Sequence, residues 1–417
     1  MRRPLIAALL ASSVAALTPR APAPLNTTES ALADAWARDL LRGHLERPDG
    51  RHHITLCAVA TALETRFIDE WILTHALLGV GRFIIYDTSF TTELHAALQR
   101  WMDAGLVTLV HPSFAASGLE WQFAQQSVLR HCVDTYGGST DWLGSWDIDE
   151  FISLHGLRGL PDRPKKDRLG RYQYPLQSFL GLDRIKTASS VAVTRSTFCN
   201  WGARDEIHRV VSRQTIRTPR DLTGAVGQKM ILHPNFHTGH VTFADAGQTA
   251  LMHDAPVPQG QFAYHVDALG DFKMGKDRTT RGHTKWPTEH LTLHHYHRDL
   301  PDCTAKVELK LAANEGGGDR RHPLQPAPNN WRLREGGDLS CLNTYIEPDH
   351  DFGSPRQTDP WKLCSGPLIE DRSLAASFAS RAADWILSRL SSLPYPSVEA
   401  PTKPLVLREL PVDWSVV

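Results

Sequence analysis

The chain has 417 residues, with 45 Lys and Arg against 46 Asp and Glu, and a formal net charge of −1. That balance argues against an electrostatically driven nucleic-acid binder. A composition that is 41% hydrophobic and 22% charged belongs to a globular protein with a real core, not to a disordered chain. No apolar run is long enough for a secure membrane span.

At the N-terminus, Met1-Arg2-Arg3 supplies positive charge, Pro4 to Leu17 is an apolar, Ala-rich run, and Ser13 to Ala16 offer small residues for cleavage. This is the layout of a secretory signal peptide over residues 1–17, with an uncleaved anchor or an organellar presequence as alternatives. The expected address is the secretory pathway (Golgi or ER lumen, or secreted), with membrane association through the N-terminus if the run is kept. Asn26-Thr27-Thr28 is a glycosylation sequon consistent with that compartment. Residues 18–52, Pro- and Ala-rich and then polar, read as a stem or linker.

Ordered structure is expected from His53. Ile54 to Ala60 (ITLCAVA) suits a buried strand. Residues 65–78 place Ile68, Trp71, Ile72 and Ala76 on one helical face. Arg82 to Tyr86 is a second strand, ending at Asp87. A helix carrying Leu94, Ala97, Leu98 and Trp101, a strand over Leu106 to Val110, and a helix over 120–136 ended by Gly137-Gly138 come next. Trp142 to Trp146 then leads to Asp147 and Asp149. This alternation predicts an α/β fold with a parallel sheet covered by helices on both faces. Ligands bind beyond the carboxyl ends of such strands, so Asp87 and Asp147 are expected at one rim. Residues 156–185 read as a basic loop. Strands are expected at Val191 to Phe198, Val210 to Ile216, 241–243 and Leu291 to Leu293. Residues 311–366 are rich in Gly, Pro, Asn and Asp and read as loop, and residues 373–390 as a closing helix whose stripe is packing.

Six cysteines, Cys57, Cys132, Cys199, Cys303, Cys341 and Cys364, form no CxxC pair, which disfavours a zinc knuckle. Their even number permits three disulfides. Cys57, inside an apolar run, reads as a small buried hydrophobe, and Cys341 with Cys364 as the pair most useful for stapling a loop-rich region.

The most informative stretch is Trp146-Asp147-Ile148-Asp149-Glu150-Phe151. In an extended segment Asp147 and Asp149 face one side, with Ile148 anchored on the other. Two carboxylates at a strand end can hold Mg²⁺ or Mn²⁺ and leave room for phosphate oxygens. An ion there neutralises a departing diphosphate as a Lewis acid. Most DxD triplets are solvated loop acids. The apolar runs on either side and the end of a parallel strand favour a metal site here.

From about Ile54 to about Lys310 the sequence resembles glycosyltransferase family 92, of the GT-A class of nucleotide-sugar transferases. Four blocks carry the resemblance: ITLCAVA with Glu64 and FIDEWILTHALLGVGRFIIYDTSF; QFAQQSVLRHC with DWLGSWDIDEFISL; Phe198 to Arg217, with Trp201-Gly202 and VVSRQTIR; and KMILHPNFHTGHV with LHHYH. Thr61-Ala62-Leu63, Thr88-Ser89-Phe90 and His233-Pro234 depart from the family pattern near the expected donor site. The resemblance implies a GT-A-like, mostly parallel sheet with a Rossmann-like nucleotide-binding half over 53–310, and a loop-rich C-terminal extension over 311–417.

It also implies roles. Asp149 would coordinate a metal, Mn²⁺ or Mg²⁺, and Asp147 would touch the metal or the ribose. Glu150 supports the site or caps a turn. Asp87 would contact the uracil or ribose of a UDP-sugar, or else form a turn. Glu64 is a nucleotide-pocket acid or a helix N-terminal acid favoured by the dipole. His295 matches the late metal-binding His of GT-A enzymes, with His240 as competitor and a structural cluster as the plain alternative. Inverting transfer needs a base for the acceptor hydroxyl, and Glu206, then Asp205, are the candidates in a polar turn. Lys229 is a phosphate partner or a surface lysine. Trp121 and Trp201 are sugar platforms or packing. The implied activity is metal-dependent, inverting transfer of a hexose, galactose first, from a UDP-sugar to a glycan acceptor. A catalytically silent glycan- or nucleotide-binding protein on the same fold, and a metal-dependent phosphohydrolase, are the alternatives.

Overall fold

The computed structural model describes residues 23–41, 52–87, 92–111, 121–154, 160–168, 170–183, 185–188, 190–198, 211, 216–217, 228–236, 263–266, 272–274, 291–296, 369–370 and 373–389. Their elements begin with helix α1 (Thr27–Leu41), followed by β1 (His52–Ala60), α2 (Ile68–Leu78), β2 (Arg82–Asp87), α3 (Glu93–Asp103) and β3 (Val107–Val110). Next come α4 (Trp121–Tyr136), β4 (Thr140–Ser145), β5 (Glu150–Leu154), the short ribbon of β6 (Lys165–Lys166) and β7 (Tyr172–Gln173), α5 (Pro175–Leu180) and β8 (Ser190–Phe198). The remainder are β9 (Ile216–Arg217), β10 (Gln228–Leu232), β11 (Ala263–Val266), β12 (Phe272–Met274), β13 (Leu291–Tyr296), β14 (Ile369–Glu370) and α6 (Phe378–Leu387).

The main sheet has a parallel half in the order β4-β1-β2-β3. This is the α/β arrangement expected from the strand–helix alternation, with helices packed on both faces of the parallel strands. The other half is mixed. β10 runs antiparallel between β4 and β8, and β13 lies parallel to β8 and antiparallel to β5.

Side-chain alternation sorts the strands between two cores. On one face Ile54, Leu56, Ala58 and Ala60 of β1 join Phe83, Ile85 and Ile231 beneath α1, α2, α3 and α6. On the other, Cys57 of β1 joins Ile84, Tyr86, Leu143, Met230 and Leu232 beneath Val128, Leu129, Cys132 and Val133 of α4. Cys57 is therefore not a lone buried hydrophobe. It faces α4 and forms a disulfide with Cys132, across a Cα–Cα distance of 6.5 Å and 75 residues of sequence. Cys199, Cys303, Cys341 and Cys364 lie outside the described residues.

Helix α2 is buried nearly all round, from Ile68 to Leu78 with Asp69 the exception, not on one face only. Its outer side is covered by α6, which packs against both α2 and α1. Within the stretch expected to be a stem, α1 docks on the core through Ala33, Trp36, Ala37 and Leu40, at the spacing of one helical face. Asn26, the sequon residue, starts this helix: its Oδ1 accepts from the Glu29 N–H at 2.9 Å and its N–H donates to Glu29 Oε2 at 3.2 Å, a reciprocal cap. Glu29 also accepts from Arg381 at 2.8 and 2.9 Å, and the Arg381 guanidinium is the main cause holding its carboxyl below the ordinary range. Thus residues 352 apart in sequence fasten α1 to α6.

The basic stretch 156–185 is only partly loop, since it supplies β6, β7 and α5. The strand expected over 210–216 is described only at residue 211, in a turn, and at β9, while 241–243 and 311–366 lie outside the described residues. Two glycines permit close packing near the strand ends. Gly79 ends α2 at φ 114°, and an added Cβ would lie 2.5 Å from Tyr174, so left-handed backbone and close approach both require Gly. A Cβ on Gly144 would meet the Trp146 indole at 2.4 Å and Leu56 at 2.7 Å. The bare backbone lets Trp146 fold back over β4.

Candidate functional site

The parallel strands end at a common rim. Ala60 of β1 is in register with Asp87 of β2, and β4 ends at Ser145, two residues before Asp147. Asp87 is buried, with His111 Nδ1, just past β3, at 3.5 Å from its Oδ2. Glu64 is buried at the same end of β1 and closes a capping box with Thr61, whose N–H donates to Glu64 Oε2 at 2.7 Å and whose hydroxyl bonds the same oxygen. That is the N-terminal acid anticipated as one of its two roles.

Asp147 to Glu150 form a tight turn between β4 and β5. Glu150 N–H donates to Asp147 O at 3.0 Å, and Asp147 N–H donates to Glu150 Oε2 at 2.9 Å. Glu150 therefore caps the turn with its side chain. Three neighbouring elements reach the turn. From β13, antiparallel to β5, the Tyr296 N–H donates to Asp149 O at 2.8 Å, and His295 Nε2 stands 3.5 Å from Asp149 Oδ1. Strand alternation turns the neighbouring residues away, so His294 and Tyr296 pack with Phe198 instead. From β10, whose Ile231 is opposite Gly144, Lys229 lies two residues further along. Its Nζ reaches Asp147 Oδ2 at 3.2 Å and Glu150 Oε2 at 3.1 Å.

Lys229 is thus no surface lysine: its side chain is 1% exposed. A buried ammonium is tolerable only when paired, and two carboxylates provide the pairing. Its signal in the sequence was the alternation of QKMIL, which places Lys229 on the inward face it shares with Ile231.

The third support comes from α2. Trp71 Nε1–H donates to Glu150 O at 2.9 Å. Glu70, 1% exposed, accepts from the Val211 N–H at 3.1 Å. His75, fully buried, donates from Nδ1 to Trp71 O at 2.8 Å and accepts at Nε2 from Trp146 Nε1–H and from Ile152 N–H, both at 3.2 Å. Nothing but an unprotonated Nε2 can accept those two donors, so the tautomer is fixed. Desolvation is the main cause that lowers the His75 pKa to about 3, which keeps the ring neutral. His75 lies in the first block that carries the family resemblance, and neither it nor His111 stands out in the sequence as a site residue.

On the α4 side a small crevice beside the turn is lined by Cys57, Ala58, Val59, Val128, Leu129, Ser145, Trp146 and Asp147. Among the described residues no three His, Cys, Asp or Glu side chains converge as a complete metal cage. Asp149 and His295 offer one oxygen and one nitrogen donor, a set suited to Mn²⁺ that leaves other positions for water and substrate oxygens. Asp147 is turned toward Lys229. Asp205, Glu206, Trp201 and His240 lie outside the described residues, as do residues 88–90, and Trp121 is described in its backbone only. No described helix is long and apolar enough to cross a membrane.

Comparison with known proteins converges on the same region. Residues 52–174 match the family model described as Glycosyltransferase family 92. A glycosyltransferase family 92 protein of Oryza sativa subsp. japonica is 27% identical over 172 residues, 40% of this chain and 28% of the relative. One from Ricinus communis is 30% identical over 125 residues, 30% of this chain and 20% of the relative. One from Arabidopsis thaliana is 23% identical over 199 residues, 45% of this chain and 33% of the relative. The chain thus spans a third or less of the length of these relatives. The matched segment contains the parallel half of the sheet, the polar face of α2 and the whole acidic turn. Residues 52–174 are thus similar to glycosyltransferase family 92.

Proposed function

We propose that the protein is a glycosyltransferase of the secretory pathway that moves a hexose, galactose first among the candidates, from a UDP-sugar to a glycan hydroxyl with inversion. The observation that carries this reading is the pair Asp149–His295, 3.5 Å apart at the carboxyl-end rim of a parallel half-sheet, inside the family 92 segment on the Asp149 side.

In this reading Asp149 and His295 hold a divalent cation, Mn²⁺ or Mg²⁺, whose remaining ligands are water and diphosphate oxygens. Such an ion supplies Lewis-acid neutralisation of the leaving UDP. The chain's own residues prepare the site. Lys229 offsets the charge of Asp147 and Glu150, so that the clustered acids do not repel one another out of the turn. Asp147, which lines the crevice, would touch the ribose or the metal, and Asp87 and Glu64 would contact the nucleoside from the same rim. Glu206 or Asp205 would take the acceptor proton as the C1–O bond to phosphate breaks.

The test is calorimetric titration of UDP into the purified protein, with and without Mn²⁺, for wild type and Asp149→Ala. Mn²⁺-dependent binding lost in the variant supports the reading and justifies screening UDP-sugars for turnover. Binding without turnover of any UDP-sugar favours the silent nucleotide-binding alternative. No binding to folded wild-type protein overturns the UDP-sugar assignment.

A further inference from the structure

We infer that His75 is a positioning residue for the acidic turn: its Nε2 holds the strand end before Asp147 and the strand start after Glu150 on one acceptor. The inference rests on the reading of that turn as the cation and nucleotide site.

The argument is geometric. Asp147 to Glu150 carry the chain from β4 into β5, and their conformation depends on where the two strand ends are pinned. His75 Nε2 accepts from the Trp146 indole N–H, one residue before the turn, and from the Ile152 backbone N–H, two residues after it, both at 3.2 Å. The same helix donates to the turn's last carbonyl through Trp71 at 2.9 Å. Nδ1–H is anchored on Trp71 O at 2.8 Å, so the ring cannot rotate without breaking a bond inside α2. Around it stand Trp71, Trp146 and Phe151, with ring centroids at 4.9, 5.7 and 5.7 Å. These rings exclude water, and in a dry site an unpaired N–H is costly.

An imidazole fits this place for a chemical reason. It offers one donor and one acceptor at opposite edges of a rigid ring, and a neutral ring adds no charge beside three acids and a lysine. The depressed His75 pKa agrees with that neutrality. Groups that support the supports of a metal-binding side chain commonly change metal affinity about 10–100-fold when removed.

The experiment compares His75→Gln with His75→Asn. Gln can present an acceptor oxygen at the reach of Nε2. Asn retains only a donor near the position of Nδ1. Mn²⁺-dependent UDP affinity, read by calorimetry, is expected to fall about 10–100-fold in His75→Asn and to stay near wild type in His75→Gln. The indole N–H resonance of Trp146 in ¹⁵N-labelled full chain is expected to lose its hydrogen-bonded shift in His75→Asn only. A folded His75→Asn with wild-type affinity overturns the inference, as does equal weakening in both variants. Should His75→Asn not fold, Trp146→Phe removes one of the two donors and keeps a ring, and unchanged affinity there overturns it. Absence of Mn²⁺-dependent UDP binding in wild type is a different failure: it removes the nucleotide-sugar reading itself, and the role assigned to His75 with it.

Discussion

The two faces of the parallel half-sheet are held by different means. Under α2 the packing is large and aromatic, and its centre is polar: Glu70, Trp71 and His75 spend their hydrogen bonds on residue 211, Glu150, Trp146 and Ile152. Under α4 the packing is a smaller cluster of Ile84, Tyr86, Leu143 and Met230 with Val128 and Val133, closed by the Cys57–Cys132 bond. One face fixes the site by direction, because hydrogen bonds demand donors and acceptors at set angles. The other fixes a helix by connectivity, because a cross-link limits the unfolded chain whatever the native angles are. The acidic turn sits where the two meet, so changes on the two faces have separable consequences.

The largest effect is expected at the turn. Asp149→Ala should abolish Mn²⁺-dependent UDP binding while leaving the unfolding midpoint nearly unchanged, as checked by calorimetry and thermal melts on the same sample. A variant that melts far earlier would place Asp149 among structural groups instead.

Next comes Lys229→Met, which keeps the stem but leaves Glu150, fully buried, without its cation. The loss should be about 3–5 kcal/mol in urea unfolding, and Glu150→Gln in the same chain should restore part of it. If the single variant is neutral, the ion pair contributes nothing, and the polar side of the turn is held by its neutral hydrogen bonds alone.

On the α4 face, replacing Cys57 and Cys132 together by Ala should cost about 2–4 kcal/mol of stability. UDP affinity should change less than in the α2-face variants, because the hydrogen bonds and ion pairs described for the turn tie it to α2, β10 and β13. Loss of affinity equal to that of the α2-face variants would erase the distinction between the faces.

The smallest expected effect is a slope with pH. His75 titrates near 6.5 when unfolded and near 3 when folded, so the unfolded chain binds the extra proton between those values. Its contribution is complete above about pH 6.5 and falls as pH drops toward 3, by at most about 1.4 kcal/mol per pH unit. Subtracting the unfolding profile of His75→Gln from that of wild type should isolate this slope. A flat difference between about pH 6 and 4 would mean that the ring is protonated in the native state.

Much of this could be read in advance. Short apolar runs alternating with amphipathic segments mark β1 to β4 and α2 to α4, and the Asp-Ile-Asp-Glu segment marks itself by its position after such a run. Those are local signals: strand and helix periods are properties of neighbouring residues. Glu70, Trp71 and His75 all fall inside the first block that carries the family resemblance, which does not say what they do. A Glu, a Trp and a His in an apolar helix look alike whether they bond the next turn or a strand 79 residues away, as Trp71 and Glu150 do.

The sequence by itself determined the parallel half-sheet, its rim and the acids placed on it, because periodicity and strand ends are written locally. The tertiary structure alone decided the rest. It made a helix of the supposed stem, because α6 covers what α1 would otherwise expose. It paired Cys57 with Cys132, because alternation turns Cys57 toward α4, and it buried Lys229, because β10 inserts antiparallel beside β4. It drew His295 to Asp149, because β13 pairs with β5. Each of these depends on which distant segments meet, and a buried charge or polar ring is stable only once its partners have been brought to it.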